Sequence, residues 1–310
     1  MRYLVPVGGA LLGGAVGVAA YTAHVLNGPR RPDPLAGYSF TPWEVQVPFE
    51  DVSFTADDGV VLRGWWFPQP DSKRVVVGFT GHKGLKQDLL GIGSALWRAG
   101  NNVLLFDFRG CGDSDVAPLS LAHNELPDAR AAVRYASARI PDAAIGLIGY
   151  SMGAAVAILV GGDDPHIRAI VADSSFASIR DVLTHAHGRY RLPAGITVAL
   201  TDFINRWRYG YHFEAIRPVD AIAGIAPRPI LIIHGGTDPL ITVDQGYRLY
   251  NAARQPKDLW VVEGVGHCGA YFADREVYVD RVAGFFEHCL SRPLLAAVES
   301  DVAIHGARHT

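Results

Sequence analysis

Cysteine and concentrated charge are what this chain has least of. Its 310 residues hold three cysteines, Cys111, Cys268 and Cys289, odd in number and widely spaced. That argues against a disulfide framework and a zinc site, and it says little about redox compartment. No run of lysine or arginine stands out, and the formal net charge is -3. A phosphate backbone needs a concentrated basic face, so nucleic acid is not expected as a partner. Apolar mass is what the chain does have, with 49% hydrophobic against 19% charged residues. This suffices for a large core and is not the composition of a disordered polymer. The length exceeds one average domain, but α/β folds of ~250 residues commonly form a single unit.

Charge is absent altogether near the amino terminus. From Leu4 to Leu26 there is no Asp, Glu, Lys or Arg, and at ~1.5 Å per helical residue the segment can cross a bilayer. Gly9, Gly13 and Gly17 fall on one helical face, where a second helix could approach closely. Residues 1–28 are therefore read as a single membrane anchor. The alternative is a secretory signal cleaved near Val18-Ala19-Ala20, although the apolar run exceeds the ~7–15 residues of a signal core. A buried core helix is a third reading, against which the glycines count. Arg2 on one side is balanced by Arg30 and Arg31 on the other, so orientation stays open.

Residues 29–44, with Pro29, Pro32, Pro34 and Pro42, read as a stiff linker. Val45–Phe54 and Val60–Phe67 flank Asp57-Asp58-Gly59, a hairpin pattern. Strand, loop and helix then alternate. Short apolar runs occur at Val75–Phe79, Val103–Phe106, Ala144–Ile148, Ile167–Ala172, Ile230–Ile233 and Leu259–Val262. Helical patterns occur near Asp88–Ala99, Asp128–Arg139, Ser151–Val160, Gln245–Ala253 and Val277–Leu290. This alternation predicts an α/β fold, a mostly parallel, doubly wound sheet with an antiparallel hairpin at one edge. About 174–227 no clear strand is found, while Phe203, Trp207, Tyr209, Tyr211 and Phe213 cluster there. The stretch is too long for a simple loop and reads as a helical cap inserted into a unit spanning 45–290. The tail, 291–310, carries no motif and is expected to be partly mobile.

The sharpest motif is Gly149-Tyr150-Ser151-Met152-Gly153, placed where a strand turns into a helix. Glycines two residues before and after the serine are required by the closeness of neighbouring backbone. The turn lifts the Ser151 hydroxyl clear, and the helix aims its positive end at developing negative charge. A serine hydroxyl needs a base. Asp238, in His234-Gly235-Gly236-Thr237-Asp238, follows one later strand, and His267, in Gly264-Val265-Gly266-His267, follows the next. Singly, each has an ordinary reading as a surface turn or a satisfied histidine. Together, in the order Ser, acid, His and at strand ends, they predict nucleophile, orienting acid and general base.

An oxyanion hole needs two backbone N–H groups. Met152, after the nucleophile, is one candidate. The other is His82, in Thr80-Gly81-His82-Lys83-Gly84 after the first parallel strand, whose side chain and that of Lys83 could equally be solvated loop. Asp107, Arg109 and their glycines read as loop scaffolding. Asp113 could be an acid but precedes the serine. Cys268 reads as a packing residue, since Ser151 occupies the elbow.

These residues carry a resemblance. Asp107–Ser114 (DFRGCGDS), Gly149–Ala154 (GYSMGA), His234–Asp238 (HGGTD) and Gly264–His267 (GVGH), in this spacing over about Val45 to Leu290, resemble the α/β-hydrolase superfamily. Within it they resemble the membrane-anchored esterase type, which includes the alpha/beta-hydrolase-domain-13-like and bud-emergence-protein-like groups, and the wider serine aminopeptidase-like group. The resemblance implies the α/β-hydrolase fold, the same assignment of Ser151, Asp238 and His267, and frequently an amino-terminal anchor. One departure is Thr80-Gly81, where members usually carry His-Gly.

The reading is a serine hydrolase cleaving carboxylic esters or thioesters, with a small-molecule or acyl-chain substrate and no cofactor or metal. A peptidase is the alternative, with Glu214 or Asp202 as anchors for a substrate amine. A non-catalytic binding protein on the same fold is a third reading, against which the intact Ser, Asp and His set speaks.

Overall fold

A computed structural model describes residues 4–30, 40–189 and 193–291, with side chains from Gly13 onward. Helix α1 covers Leu4–Asn27, and strands β1 (Glu50–Thr55) and β2 (Val61–Phe67) form the hairpin. Then follow β3 (Arg74–Phe79), α2 (Leu90–Arg98), β4 (Asn102–Phe106), α3 (Glu125–Arg139), β5 (Ala144–Tyr150), α4 (Met152–Asp163) and β6 (Ile167–Asp173). Helices α5 (Ile179–Arg189), α6 (Ala194–Tyr209) and α7 (Pro218–Ala221) precede β7 (Ile230–Gly235). Helix α8 (Val243–Ala252), β8 (Lys257–Val262), α9 (Ala270–Ala273) and α10 (Arg275–Leu290) complete the order.

Eight strands form one sheet in the order β1-β2-β4-β3-β5-β6-β7-β8. Strands β3 to β8 run parallel, while β2 is antiparallel to both β1 and β4. Burial explains which runs were readable. Strands β4 and β7 are buried throughout and β3, β5 and β6 nearly so, as expected of parallel strands covered on both faces. Edge strand β1 instead alternates, turning Val52 and Phe54 inward. Helix α4 is buried over most of its surface, including Ala154, Ala155, Val156, Ala157 and Ile158, the pattern of a central helix rather than a surface one. It lies on one face with α3; α2 and α10 close the other. The α/β-hydrolase architecture predicted above is thus the one observed.

Two sequence expectations need correction. The hairpin strand begins at Glu50, not Val45: residues 42–46 form turns, with Gln46 at φ 54°. More consequentially, the apolar amino-terminal segment, read above as a membrane anchor, finds no support as one. Among the described residues no helix is long and apolar enough to cross a membrane, and the carboxyl-terminal half of α1 packs on α6 with Ala19, Ala23, Leu26 and Asn27 buried. Asn27 Nδ2 donates to Asn205 Oδ1 at 2.8 Å, and the Tyr211 hydroxyl donates to Asn27 Oδ1 at 2.9 Å. Buried amides need such partners, so this end of α1 belongs to the folded body. An uncharged face satisfied by protein reads in sequence like one satisfied by lipid. Of the linker 29–44, residues 31–39 lie outside the described residues, as do residues 292–310 of the tail.

Candidate active site

The chain after β5 reverses within one residue. Ser151 takes φ 54° and ψ -117°, a conformation that costs an ordinary residue ~1–3 kcal/mol and recurs where strain serves a site. Its N–H donates to the Asp173 carbonyl at 2.8 Å. A Cβ on Gly149 would overlap the Gly153 backbone, and one on Gly153 would overlap the Phe79 and Thr80 carbonyls. The two flanking glycines are therefore required by contact.

Asp238 and His267 come to Ser151 from the loops after β7 and β8. His267 Nε2 lies 2.9 Å from Ser151 Oγ, and His267 Nδ1 lies 2.6 Å from Asp238 Oδ2. Asp238 Oδ1 accepts the N–H groups of Leu240 at 2.8 Å and Ile241 at 2.9 Å. Burial opposes the Asp238 charge, but the His267 hydrogen bond and the two backbone donors outweigh it and hold the carboxyl below its ordinary range. The adjoining His234 is wholly buried, its Nε2 2.8 Å from the Ile241 carbonyl, and burial lowers its pKa. It packs beneath the acid as a neutral ring.

The loop after β3 passes directly over the elbow. A Cβ on Gly81 would stand 3.5 Å from Ser151 Cβ, so this residue approaches the nucleophile with no side chain between. His82 follows, and Met152 opens α4 beside Ser151. The His82 ring is held neutral: burial and the nearby Lys83 charge bring its pKa down to about 4. Lys83, at φ 59°, fastens the loop to the amino-terminal segment. Its Nζ donates to the Val25 carbonyl at 2.7 Å, while Arg30 Nη1 donates to the Lys83 carbonyl at 2.6 Å.

Asp107 and Arg109 sit in charged clusters away from the reacting atoms. Lys86 Nζ bridges Asp107 at 2.6 Å and Asp113 at 2.5 Å, and Arg109 ties Asp128 to Asp58, each at 2.6 Å. Asp113 is thereby engaged elsewhere and not brought to His267. Cys268 adopts φ 50°, and burial pushes its thiol well above the ordinary range. An unionised thiol is a poor nucleophile.

Sequence reading passed over three buried residues behind the site. Asp173 ends β6; its Oδ1 accepts from the Ser174 hydroxyl and its Oδ2 from the Tyr278 hydroxyl, each at 2.9 Å. Ser174 Oγ in turn accepts the Cys268 N–H at 3.1 Å. The available signal was an acid closing an apolar strand, Ile167–Ala172, at the same sheet end as Ser151.

Comparison with known proteins identifies the family to which this fold belongs. Residues 60–281 match the alpha/beta hydrolase family. The chain is 29% identical over 266 residues to the uncharacterized protein YfhR of Escherichia coli O157:H7, covering 82% of this chain and 84% of that protein. It is 31% identical over 240 residues to the uncharacterized protein Rv2307c of Mycobacterium tuberculosis, covering 76% and 78%. In structure it is similar to the Pyrococcus furiosus esterase Pf2001, with a TM-score of 0.71 at 25% identity over 86% of this chain and 98% of that one. With a family match running from β2 into α10, the chain belongs to the alpha/beta hydrolase family.

Proposed function

We propose that this hydrolase cleaves carboxylic esters or thioesters through an acyl-enzyme on Ser151. The carrying observation is the line Ser151 Oγ, His267 and Asp238, at 2.9 and 2.6 Å. His267 Nε2 takes the Ser151 proton as Oγ attacks the carbonyl carbon, and Asp238 keeps the other proton on Nδ1. The tetrahedral oxyanion is received by the backbone N–H groups of Met152 and His82. Collapse breaks the bond to the leaving alkoxide or thiolate, to which His267 returns the proton. Water then attacks the acyl carbonyl by the same route and frees Ser151. The likeness to the Pyrococcus furiosus esterase supports an ester substrate.

Residues 174–227 serve in this proposal as the cap over the strand ends. Tyr211 and Phe213 are buried in the main hydrophobic core, whereas Phe203 and Trp207 are 70% and 77% exposed. The finer likeness to the bud-emergence-protein-like group is part of the proposal, and membrane anchoring is not required by it. A peptidase reading is less well supported. Arg180 engages both Asp202 at 3.3 Å and Glu214 at 2.6 Å, so these carboxylates are already neutralised and poorly placed to hold a substrate amine.

The test is turnover of p-nitrophenyl esters from acetate to palmitate, beside Ser151→Ala. The expected result is hydrolysis with a chain-length optimum, lost in the variant. Full activity in Ser151→Ala would refute the mechanism.

A further inference from the structure

One dipeptide, at the carboxyl end of β6, holds both halves of the proposed reacting pair by their backbones. The Asp173 carbonyl receives the N–H of Ser151 at 2.8 Å. The Ser174 hydroxyl receives the N–H of Cys268, the residue after His267, at 3.1 Å. We propose that Asp173 and Ser174 are positioning residues, which keep the loop of His267 in register with the elbow of Ser151. The inference rests on the serine-hydrolase reading and adds to it two residues that never touch substrate.

The proton count explains why both members are needed. A serine hydroxyl has a single proton. Ser174 commits it to Asp173 Oδ1 at 2.9 Å, which leaves its lone pairs turned toward the Cys268 N–H. Tyr278 commits its own proton to Asp173 Oδ2 at 2.9 Å, and its oxygen lies 2.9 Å from the hydroxyl of Tyr150, the residue before Ser151. Each phenol has one proton, so the chain of donors runs Tyr150, Tyr278, Asp173. Two donors on two oxygens suit a carboxylate; a protonated carboxyl would turn one oxygen into a donor and displace a partner.

The surroundings favour this arrangement and make it sensitive. Asp173 and Ser174 are fully buried. Ser174 and Cys268 hold φ values of 56° and 50°, conformations sustained only where neighbours over-determine them. Burial brings the Asp173 carboxyl up to about 6, against the two side-chain donors; the His267 charge favours its ionisation and Asp238 opposes it. The Tyr150 and Tyr278 phenols and the Cys268 thiol are pushed well up by burial and remain neutral.

Ser174→Gly separates positioning from folding, because glycine adopts a positive φ without cost while the hydroxyl is lost. The full chain and the variant are compared by melting temperature, by fluorophosphonate labelling and by kcat and KM on p-nitrophenyl butyrate. We expect a cooperative melt with Tm lowered by several degrees, because the hydrogen bonds of one buried hydroxyl are lost, KM within about twofold, and kcat down about tenfold to a hundredfold, the scale of a small misplacement. Asp173→Asn, introduced into Ser174→Gly, should lower kcat by no more than about threefold further, because residues acting as one unit are non-additive. Tyr278→Phe should move the acid limb of the kcat profile upward, since Asp173 loses a donor that stabilises its charge. A Ser174→Gly variant with wild-type kcat, multiplicative losses in the double variant, or an unmoved acid limb would overturn the inference while labelling of Ser151 in the wild type upheld the serine reading. A folded wild type that is not labelled overturns both.

Discussion

Replacing Asp238 by asparagine isolates what the acid does. The carboxylate accepts from three donors: His267 Nδ1 at 2.6 Å, Leu240 N at 2.8 Å and Ile241 N at 2.9 Å. Asparagine keeps the shape and an oxygen for the two backbone donors. Its NH2 then faces His267 Nδ1, which must become an acceptor, so the ring proton moves to Nε2. That proton points at Ser151 Oγ, 2.9 Å away, and the base is lost. The expected fall in kcat is about 10³ to 10⁴, the upper figure being that of the same change in a serine protease, or about 4–5.5 kcal/mol in the barrier. KM should change little, because the carboxyl does not meet substrate. Stability follows the sign of its pKa: a depressed acid contributes stability above its ordinary pKa and loses it as pH falls through the folded value. The variant should therefore melt below wild type at pH 7, and the gap should narrow as the pH is lowered below about 4. Steady-state turnover of p-nitrophenyl acetate, with melting curves across this pH range, gives the answer. An Asp238→Asn enzyme retaining more than about a tenth of wild-type kcat would refute the assignment.

Other consequences are open to direct measurement. Gly153→Ala forces a Cβ into the Phe79 and Thr80 carbonyls and should cost about 3 kcal/mol or more by denaturant unfolding; an unchanged midpoint would contradict the packing described. Asn27→Leu leaves the Asn205 and Tyr211 polar groups buried without their partner, and a loss of about 2–4 kcal/mol is expected. No loss would mean that α1 does not dock on α6. Asp173 acts oppositely to Asp238, since its folded pKa is raised from 3.8 to about 6. Its contribution is fully present below the unfolded pKa and lost as pH rises through 6, about 3 kcal/mol in all. Asp173→Asn should therefore flatten the stability profile between pH ~4 and ~6, and an unaltered slope would exclude this carboxyl as its source.

What could be read from the sequence followed from short-range physics. Parallel strands buried on both faces leave apolar runs such as Val103–Phe106 and Ile230–Ile233, visible without any partner. Ser151 was legible because its turn demands glycines at 149 and 153 within five residues. Asp238 and His267 were legible only as members of an order, each at the end of an apolar run. What stayed hidden is closed by distant pairs. Ser174 meets Cys268 across 94 positions and Tyr278 meets Asp173 across 105, and no local pattern announces either. The docking of the amino-terminal segment stayed hidden for a related reason. The segment's lack of charge shows that one face shuns water, but not that the cover is α6, which brings Asn205 to Asn27 from 178 positions away.

The central claim is that Ser151 is the activated nucleophile. It is tested most directly by treating the purified chain with a fluorophosphonate and locating the adduct by mass spectrometry. One phosphonylated residue, Ser151, is expected, with labelling lost in Ser151→Ala and strongly slowed in His267→Ala. A folded wild-type chain that acquires no adduct, or acquires it at another residue, would contradict the account.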